Sequence, residues 1–378
     1  MRYFLIAGEP SGDLHGANLM RGILEADPEA EFRFWGGDKM AEVGGRENLG
    51  LHYRESSFFG FVQVVRHLPT ILGQLSRCRR EIEQARPDVV ILIDYAGFNL
   101  KMAKHAKSLG IKTFFYIAPK VWAWKESRIE RIRKYVDELF IIFPFEREYF
   151  RKRGIEAHFE GNPLVDAIES RCENLPSKEE FLGRNDLSSE RPIIALLAGS
   201  RASEIRTILP IMRRVADSFE GYQFVIAGVA WLPRELYERE TKGSQIRFVE
   251  NQTYELLKHG EAAIVTSGTA TLETALIGTP QVVLFRLPQY QVALRPYFLK
   301  IPYFSLVNIN LERESVREIL QSSSDPTEVI SELRKIIEGG DQRERILNDY
   351  KELREIIGAS QASRRFAQRM VELLKAKK

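Results

Sequence analysis

The sequence predicts an α/β protein with two Rossmann-like domains that face each other across a cleft. At 378 residues, the chain exceeds the size at which a single hydrophobic core stops growing. Short apolar segments alternate with helical segments in both halves, a pattern that is typical of doubly wound parallel sheets. A polar stretch separates the two series. Ligands of such sheets bind beyond the carboxyl ends of the strands, so functional residues are expected directly after them.

The first domain is expected to span residues 1–165. Each apolar segment that precedes an amphipathic one predicts a strand and its crossover helix. Strands are predicted at Tyr3–Ala7, Glu31–Trp35, Asp88–Asp94, Lys112–Ile117, Leu139–Phe143 and His158–Phe159. A glycine-rich turn is predicted at Gly8–Gly16, and helices are predicted at Ala17–Glu25, Pro69–Gln84, Asn99–Ser108 and Glu126–Tyr135.

The second domain is expected to span residues 166–345. A polar connector is predicted from Gly161 through Glu190, because Gly161-Asn162-Pro163 interrupts the pattern and charged residues follow. Polar-faced helices are predicted from Val316 onwards. Residues 346–378 are expected to form a helix that returns to a first domain, in the same chain or in a partner. The strands are predicted at Ile193–Ala198, Gln223–Ala227, Ile246–Val249, Ala262–Thr266 and Gln281–Phe285.

The composition excludes several classes of protein. The 55 basic and 52 acidic residues leave a net charge of +3, which argues against nucleic-acid binding. The two cysteines, Cys78 and Cys172, form no pairing framework and indicate a reducing cytoplasm. No apolar run is long enough to span a bilayer. The histidines and cysteines lack metal-ligand spacing, so we expect no protein-held zinc site. We also expect no other metal and no cofactor.

The segment Ile264–Arg286 predicts a phosphate site. An apolar strand ends at Thr266, and Ser267, Gly268 and Thr269 lead into a helix. The unpaired N–H groups and the positive dipole end of such a helix suit an anion. Glu273 follows one turn later and is placed to accept hydrogen bonds from a sugar's hydroxyls. The alternative is a Gly-Thr turn that serves packing alone.

A second anion-suited turn, Gly199-Ser200-Arg201, follows the strand predicted at Ile193–Ala198. Arginine presents a planar fork of donors that can hold two phosphate oxygens. Glu204 either orients Arg201 or caps the next helix. Two such turns in one domain indicate a diphosphate ligand. Neither matches the P-loop pattern, so ATP hydrolysis of that kind is not predicted.

Acidic residues follow two strands of the first domain. The turn after the first strand contains Gly8, Glu9, Ser11, Gly12 and Asp13, and it lacks the dinucleotide-binding spacing. Its carboxylates are suited to sugar hydroxyls or an amine; the alternative is a helix start capped by Ser11 or Asp13.

Asp94 ends the apolar strand Val89–Ile93 and takes the position expected of a general base. The alternative is that Asp94 caps the helix that follows.

Two apolar segments remain in the first domain. Trp122 and Trp124, next to lysines, are suited to stacking on a sugar, to lining an acyl groove, or to core packing. The segment Ser57–Val65 is either a buried element or an exposed flap that enters a bilayer, helped by nearby arginines. The membrane hypothesis assigns contacts to Phe58, Phe59, Phe61, Val62, Val65 and Arg66.

Taken together, these motifs resemble the lipid A disaccharide synthase family. They occur in family order and cover most of the chain. The resemblance implies a GT-B fold and an inverting transfer without a protein-held metal. A 2,3-diacylglucosamine would pass from UDP-2,3-diacylglucosamine to 2,3-diacylglucosamine 1-phosphate, giving a β-1,6 disaccharide and UDP. It also implies a homodimer on the cytoplasmic face of the anionic inner membrane. The matching segments are Gly8–Asp13, Asp94 with Phe98-Asn99, Ala118–Trp124, Pro144–Glu146, Gly199–Arg201 with Glu204-Ile205, and Ser267–Glu273.

The resemblance also implies roles for single residues. Asp94 matches the proposed base, Glu9, Ser11 and Asp13 the acceptor-side turn, and Arg201 with Ser267–Glu273 the UDP site. Asn308 matches an asparagine near the donor. The chain departs from the family pattern at four positions, which leave these roles in place: Gly97, Asn162, Ala198 and Glu312.

Two other functions fit parts of the same pattern. One is a different UDP-sugar enzyme, such as a UDP-N-acetylglucosamine 2-epimerase or another transferase. The other is a non-catalytic module that binds nucleotide sugars. Glu9 and Asp94 disfavour the module, because binding alone does not obviously need two acids in a cleft.

Overall fold

The computed structural model describes residues 1–56, 68–122, 126–286, 302–321 and 325–376. Contacts divide the chain into two compact units. Unit 1 contains Met1–Pro163 together with Ile357–Lys378, and unit 2 contains Leu164–Ile356. Within the described residues, no helix combines the length and apolar character needed to cross a membrane.

Unit 1 is built on a seven-stranded parallel sheet in the order β3-β2-β1-β4-β5-β6-β7. Its strands are β1 Arg2–Ala7, β2 Glu31–Gly36, β3 Leu49–His52, β4 Val89–Ile93, β5 Lys112–Tyr116, β6 Glu138–Ile141 and β7 Ala157–Phe159. Its helices are α1 Pro10–Ala26, α2 Asp38–Gly44, α3 Tyr53–Ser56, α4 Leu68–Ala85, α5 Ala96–Ser108, α6 Ile129–Tyr135 and α7 Phe145–Arg151.

Alternating strand residues build two cores in unit 1, one on each face of the sheet. Leu5 and Ile91 belong to one core, whereas Phe4 and Val90 belong to the other. The last helix of the chain, Ala362–Lys375, completes the first core by packing against α1.

Unit 2 is built on a six-stranded parallel sheet in the order β10-β9-β8-β11-β12-β13. Its strands are β8 Ile193–Leu197, β9 Gln223–Gly228, β10 Arg247–Glu250, β11 Ala262–Thr266, β12 Gln281–Arg286 and β13 Glu318–Gln321. The remaining helices are α8 Pro163–Cys172, α9 Lys178–Arg184, α10 Ala202–Ala216, α11 Arg234–Thr241, α12 Thr253–His259, α13 Thr269–Ile277, α14 Leu306–Leu311, α15 Thr327–Arg334, α16 Arg343–Ile357 and α17 Ala362–Lys375.

Both predicted Rossmann-like domains are confirmed, but the turn predicted at Gly8–Gly16 is wrong. Helix α1 begins at Pro10, because proline at the first helical position needs no N–H partner. Gly12 and Gly16 lie on its buried face. A Cβ at Gly16 would lie 3.1 Å from Ile93 Cδ1, so these glycines allow close packing of α1 on the sheet.

Two further differences concern segments with many charges. The connector predicted at 161–190 contains helices α8 and α9, and Ser177 with Glu180 forms a capping box at the start of α9. The region after Val316, predicted as helical, contains the edge strand β13 before its helices. Strand β3 was not predicted, since its four residues include only two leucines.

Candidate functional site

Asp94 follows β4 directly at the carboxyl end of the unit 1 sheet. Both Asp94 and Tyr95 adopt left-handed backbone conformations, with φ of 45° and 44°. Such conformations are sparsely populated by residues other than glycine and cost on the order of 1–3 kcal/mol each. The surrounding structure must therefore hold this turn, and strain of this kind concentrates at functional sites.

The amide of Asn99 holds the strained turn. Asn99 is fully buried, and its Nδ2 donates to the carbonyl oxygens of Asp94 at 2.8 Å and Ile93 at 3.2 Å. It also donates to the carbonyl of Ile6, at 3.4 Å. One side chain thus links the ends of β1 and β4 and fixes the backbone that presents Asp94.

Burial and nearby charges act in opposite directions on Asp94. The side chain is exposed, yet the protein around it raises its pKa, because desolvation disfavours the carboxylate. The positive charge of Lys120, a hydrogen bond from the Tyr95 N–H and the charge of Arg128 all lower the pKa. The result is an accessible carboxylate whose pKa is raised, as a general base requires.

Gly8, which lies between β1 and α1, contacts the ring of Tyr95 in the Asp94 turn. A Cβ at Gly8 would overlap the Tyr95 ring, so this close approach requires glycine. Burial raises the pKa of Tyr95, and the negative charge of the half-buried Glu9 raises it further. Ser11 is exposed. Glu9 and Asp94 therefore follow two adjacent strands, β1 and β4, at the carboxyl end of the sheet.

Asp13 has a structural role that the sequence did not reveal. Its buried carboxylate accepts hydrogen bonds from the backbone N–H groups of Gly37, Lys39 and Met40, at 2.7, 3.1 and 3.1 Å. These groups lie at the start of α2. Asp13 thus caps α2, in contrast to the predicted cap of its own helix.

Glu146 is a buried carboxyl group near Lys120. It accepts hydrogen bonds from Trp122 Nε1 at 2.9 Å and from the Phe143 N–H at 3.2 Å. Burial raises the pKa of Glu146 to about 7, although both bonds and the Lys120 charge act in the opposite direction. The indole of Trp122 is therefore anchored, while Trp124 lies outside the described residues.

In unit 2, no side chain of the described residues caps the N-terminus of α13. Its N-cap residue is Gly268, and a Cβ at this position would meet no atom of the described residues within 4 Å. Ser267 Oγ donates to the carbonyl of Phe304 at 2.9 Å, which fixes the turn. The preceding Thr266 is buried, and its hydroxyl has no hydrogen-bond partner among the described residues. This helix start can accept an anion.

The second turn is held by Glu204. One oxygen of Glu204 accepts from the N–H groups of Ser200 and Arg201, at 2.9 and 3.2 Å. Its other oxygen accepts from Arg201 Nη1 at 2.7 Å. Gly199 has a φ of 107°, and a Cβ there would overlap Glu204. Glu204 thus performs both predicted roles, since it caps α10 and orients Arg201.

The sequence did not predict roles for two residues near these turns, Trp231 and Tyr254. Trp231 follows β9 and is 69% exposed, yet its Nε1 donates to the carbonyl of Ser200 at 3.0 Å. Tyr254 donates from its hydroxyl to Glu273 Oε1 at 2.8 Å. Glu273 is half-buried and burial raises its pKa, whereas the bond from Tyr254 and the charge of Arg171 lower it. The only available signal was that Trp231 comes shortly after a strand.

Asn308 lies in the interior of unit 2. It is fully buried, and its Nδ2 donates to the Val316 carbonyl and to Glu318 Oε1, both at 2.8 Å. Its Oδ1 accepts from the N–H groups of Ser315 and Val316, at 2.8 and 3.0 Å. All of its side-chain polar atoms are thus used within the protein.

The other predicted positions differ in what can be described. A Cβ at Gly97, one of the departures from the family pattern, would meet no atom of the described residues within 4 Å. The predicted membrane contacts Phe58, Phe59, Phe61, Val62, Val65 and Arg66 lie outside the described residues. Within the described ranges, no group of three or more histidine, cysteine, aspartate or glutamate side chains could hold a metal ion.

Solved structures with a similar fold include an epimerase and a glycosyltransferase. A UDP-GlcNAc 2-epimerase from Neisseria meningitidis bound to UDP-GlcNAc has a TM-score of 0.69, with 14% identity over 98% of this chain and 100% of its own. The calicheamicin glycosyltransferase CalG4 has a TM-score of 0.59, with 13% identity over 100% of this chain and 99% of its own. These likenesses show the GT-B type of fold.

Sequence relatives are more specific. The lipid-A-disaccharide synthase of Myxococcus xanthus is 34% identical over 379 residues, which cover 99% of this chain and 97% of the relative. That of Syntrophus aciditrophicus is 32% identical over 380 residues, which cover 98% and 97%. The lipid-A-disaccharide synthetase family model matches residues 3–371. The chain therefore belongs to the lipid-A-disaccharide synthase family of glycosyltransferases.

Proposed function

We propose that the protein transfers 2,3-diacylglucosamine from UDP-2,3-diacylglucosamine to the 6-hydroxyl of 2,3-diacylglucosamine 1-phosphate. The products are a β-1,6-linked disaccharide 1-phosphate and UDP. Membership of the family supports this reaction. The observation that carries the mechanism is the accessible Asp94 carboxylate on a strained turn held by Asn99.

Asp94 takes the proton of the acceptor hydroxyl as its oxygen attacks C1 of the donor sugar. The bond between C1 and the UDP oxygen breaks, and the configuration at C1 inverts. Negative charge develops on the departing diphosphate. Arg201 and the uncapped N-terminus of α13 stabilise that charge through directed N–H donors. Glu273 accepts hydrogen bonds from the ribose of the nucleotide.

The acceptor side of this reaction involves unit 1. Glu9 and Asp94 both follow strands at the carboxyl end of the unit 1 sheet, and Glu9 is suited to bind a sugar hydroxyl. Asp13 stabilises this end of the sheet indirectly, by capping α2. Ser11 is exposed and free to contact substrate. In unit 2, Asn308 acts indirectly on the donor side by fixing the segment from Asn308 to Glu318.

We propose that the protein works on the cytoplasmic face of the inner membrane, because both substrates carry acyl chains. We also propose that it is a homodimer, as the family resemblance implies. Helix α4 has side chains suited to a membrane surface, because Leu72 is 53% exposed and Arg79 and Arg80 are exposed. Each basic residue near an anionic bilayer contributes about 1 kcal/mol. The apolar residues Phe58–Val65 precede this helix in the sequence.

The reaction is tested by incubating the protein with both lipid substrates and analysing the product by mass spectrometry. We expect a tetraacyl disaccharide 1-phosphate and an equal amount of UDP. Absence of the disaccharide product from a reaction with folded protein would overturn the proposal. Conversion of UDP-N-acetylglucosamine alone, without lipid acceptor, would instead support an epimerase.

A further inference from the structure

Tyr254 is placed to control how Glu273 meets a ligand. Tyr254 lies in the first turn of α12 and Glu273 in the second turn of α13. The Tyr254 hydroxyl donates to Glu273 Oε1 at 2.8 Å. Among the described residues, no donor bonds the other oxygen, Oε2. One oxygen is therefore fixed by the protein and the other is left for a ligand.

The position of Tyr254 is itself fixed from two neighbouring elements. Arg171 of α8 lies with its guanidinium carbon 5.4 Å from the centre of the Tyr254 ring, and it donates to the Asn251 carbonyl at 3.0 Å. Asn185, at the end of α9, exchanges two hydrogen bonds of 3.0 Å with Gln252. The segment that leads into α12 is thus held before any ligand arrives.

We propose that Tyr254 is a positioning residue that holds Glu273 so that its free oxygen accepts hydrogen bonds from the vicinal hydroxyls of a nucleotide ribose. This inference rests on the proposed UDP site. Without the Tyr254 hydroxyl, the Glu273 side chain gains rotational freedom and must be ordered by the ligand, which weakens binding. Tyr254 does not itself contact the nucleotide.

The test measures the dissociation constants of UDP and of 2′,3′-dideoxy-UDP by calorimetry. The wild type should bind UDP more tightly than 2′,3′-dideoxy-UDP, because Glu273 pairs with the ribose hydroxyls that the analogue lacks. In Tyr254→Phe, UDP binding should weaken about five- to tenfold, which lies within the net contribution of one typical hydrogen bond, because the lost bond acts on the ligand only through Glu273. Binding of the dideoxy analogue should stay unchanged, which a general loss of structure would not produce.

Two further variants separate the possible roles. Tyr254→Phe should have no effect in a Glu273→Ala background, since it acts through Glu273. Tyr222→Phe is the matched control, because Tyr222 directly precedes β9 at the amino ends of the strands, whereas Tyr254 follows β10 at their carboxyl ends, and it should retain both affinities. A Tyr254→Phe protein with the full preference for UDP would overturn this inference alone. A wild type that does not bind UDP would overturn the proposed function together with it.

Discussion

Asn99 Nδ2 lies 2.8 Å from the carbonyl oxygen of Asp94 and donates a hydrogen bond to it. The same amide group reaches the carbonyls at the ends of β1 and β4. The Asn99 side chain therefore links two strands to the backbone of the proposed base. Because it bonds to backbone carbonyls, its removal should change the position of the Asp94 carboxylate but not the ability of that carboxylate to accept a proton.

Asn99→Ala should lower kcat about three- to tenfold, which corresponds to the net worth of one hydrogen bond. UDP affinity should not change, since the proposed UDP residues all belong to unit 2. Steady-state kinetics and calorimetry measure both quantities. In an Asp94→Asn background the substitution should have no further effect on turnover. Unchanged kcat in a folded Asn99→Ala protein would contradict this role.

Asp94→Asn should abolish most turnover and retain UDP binding. Loss of a general base costs roughly 10²–10⁴ in rate. The side chain is exposed, so the isosteric amide should fit without loss of stability. Product formation measured by mass spectrometry, alongside calorimetry with UDP, checks the expectation. Turnover like that of the wild type would rule out Asp94 as the base.

The pH dependence of kcat/KM should report the raised pKa of Asp94. The base acts only when deprotonated, so activity should fall as the pH decreases through that pKa. Lys120→Gln removes a charge that lowers this pKa, and should therefore move the acid limb to higher pH. Lys101→Gln, an exposed residue of α5, is the matched control. An identical acid limb in the Lys120 variant would show that Asp94 does not control it.

Arg201→Ala should raise the dissociation constant of UDP roughly 10- to 100-fold, because a hydrogen bond to a charged group contributes about 1.5–3 kcal/mol. Arg206 is exposed on α10, the helix that begins directly after Arg201, so Arg206→Ala is a control for lost charge alone. Calorimetry at a fixed salt concentration gives the comparison. Equal effects of both substitutions would indicate a general electrostatic contribution with no specific contact by Arg201.

Phe59→Glu combined with Phe61→Glu should reduce binding to anionic liposomes and activity on long-chain substrates. Charged side chains in place of two phenylalanines remove the apolar contribution to a bilayer. Sedimentation with vesicles and circular dichroism test membrane binding and folding. Liposome binding that is unchanged in a folded protein would favour core packing for this segment.

Local patterns predicted most of the scaffold but few of the roles. Strand β11 at Ala262–Thr266 and the start of α13 at Thr269 follow from a continuous apolar run and a Ser-Gly-Thr turn. The role of Asp13 was not accessible, because its N–H partners begin 24 residues later. Contacts between positions distant in sequence, such as Trp231 with Ser200, leave no periodic signal.

Asn308 illustrates the same limit. The family resemblance implied a place near the donor, whereas the geometry of Asn308 depends on Val316, in the loop after α14, and on Glu318, at the start of β13. Only the structure could decide the role of Glu204, because capping of α10 and orientation of Arg201 require the same spacing in the sequence. Residue type and spacing define candidates, and partner atoms decide between them.

The packing of α17 against α1 has a consequence for biosynthesis. Phe366 and Met370 belong to the same core as Leu5 and Ile91, although more than 270 residues separate them in the chain. Unit 2 is a continuous segment that leaves the ribosome before α17. Since domains generally fold as units during synthesis, unit 2 can fold first, while unit 1, most of which is made earlier, must wait until α17 has been translated.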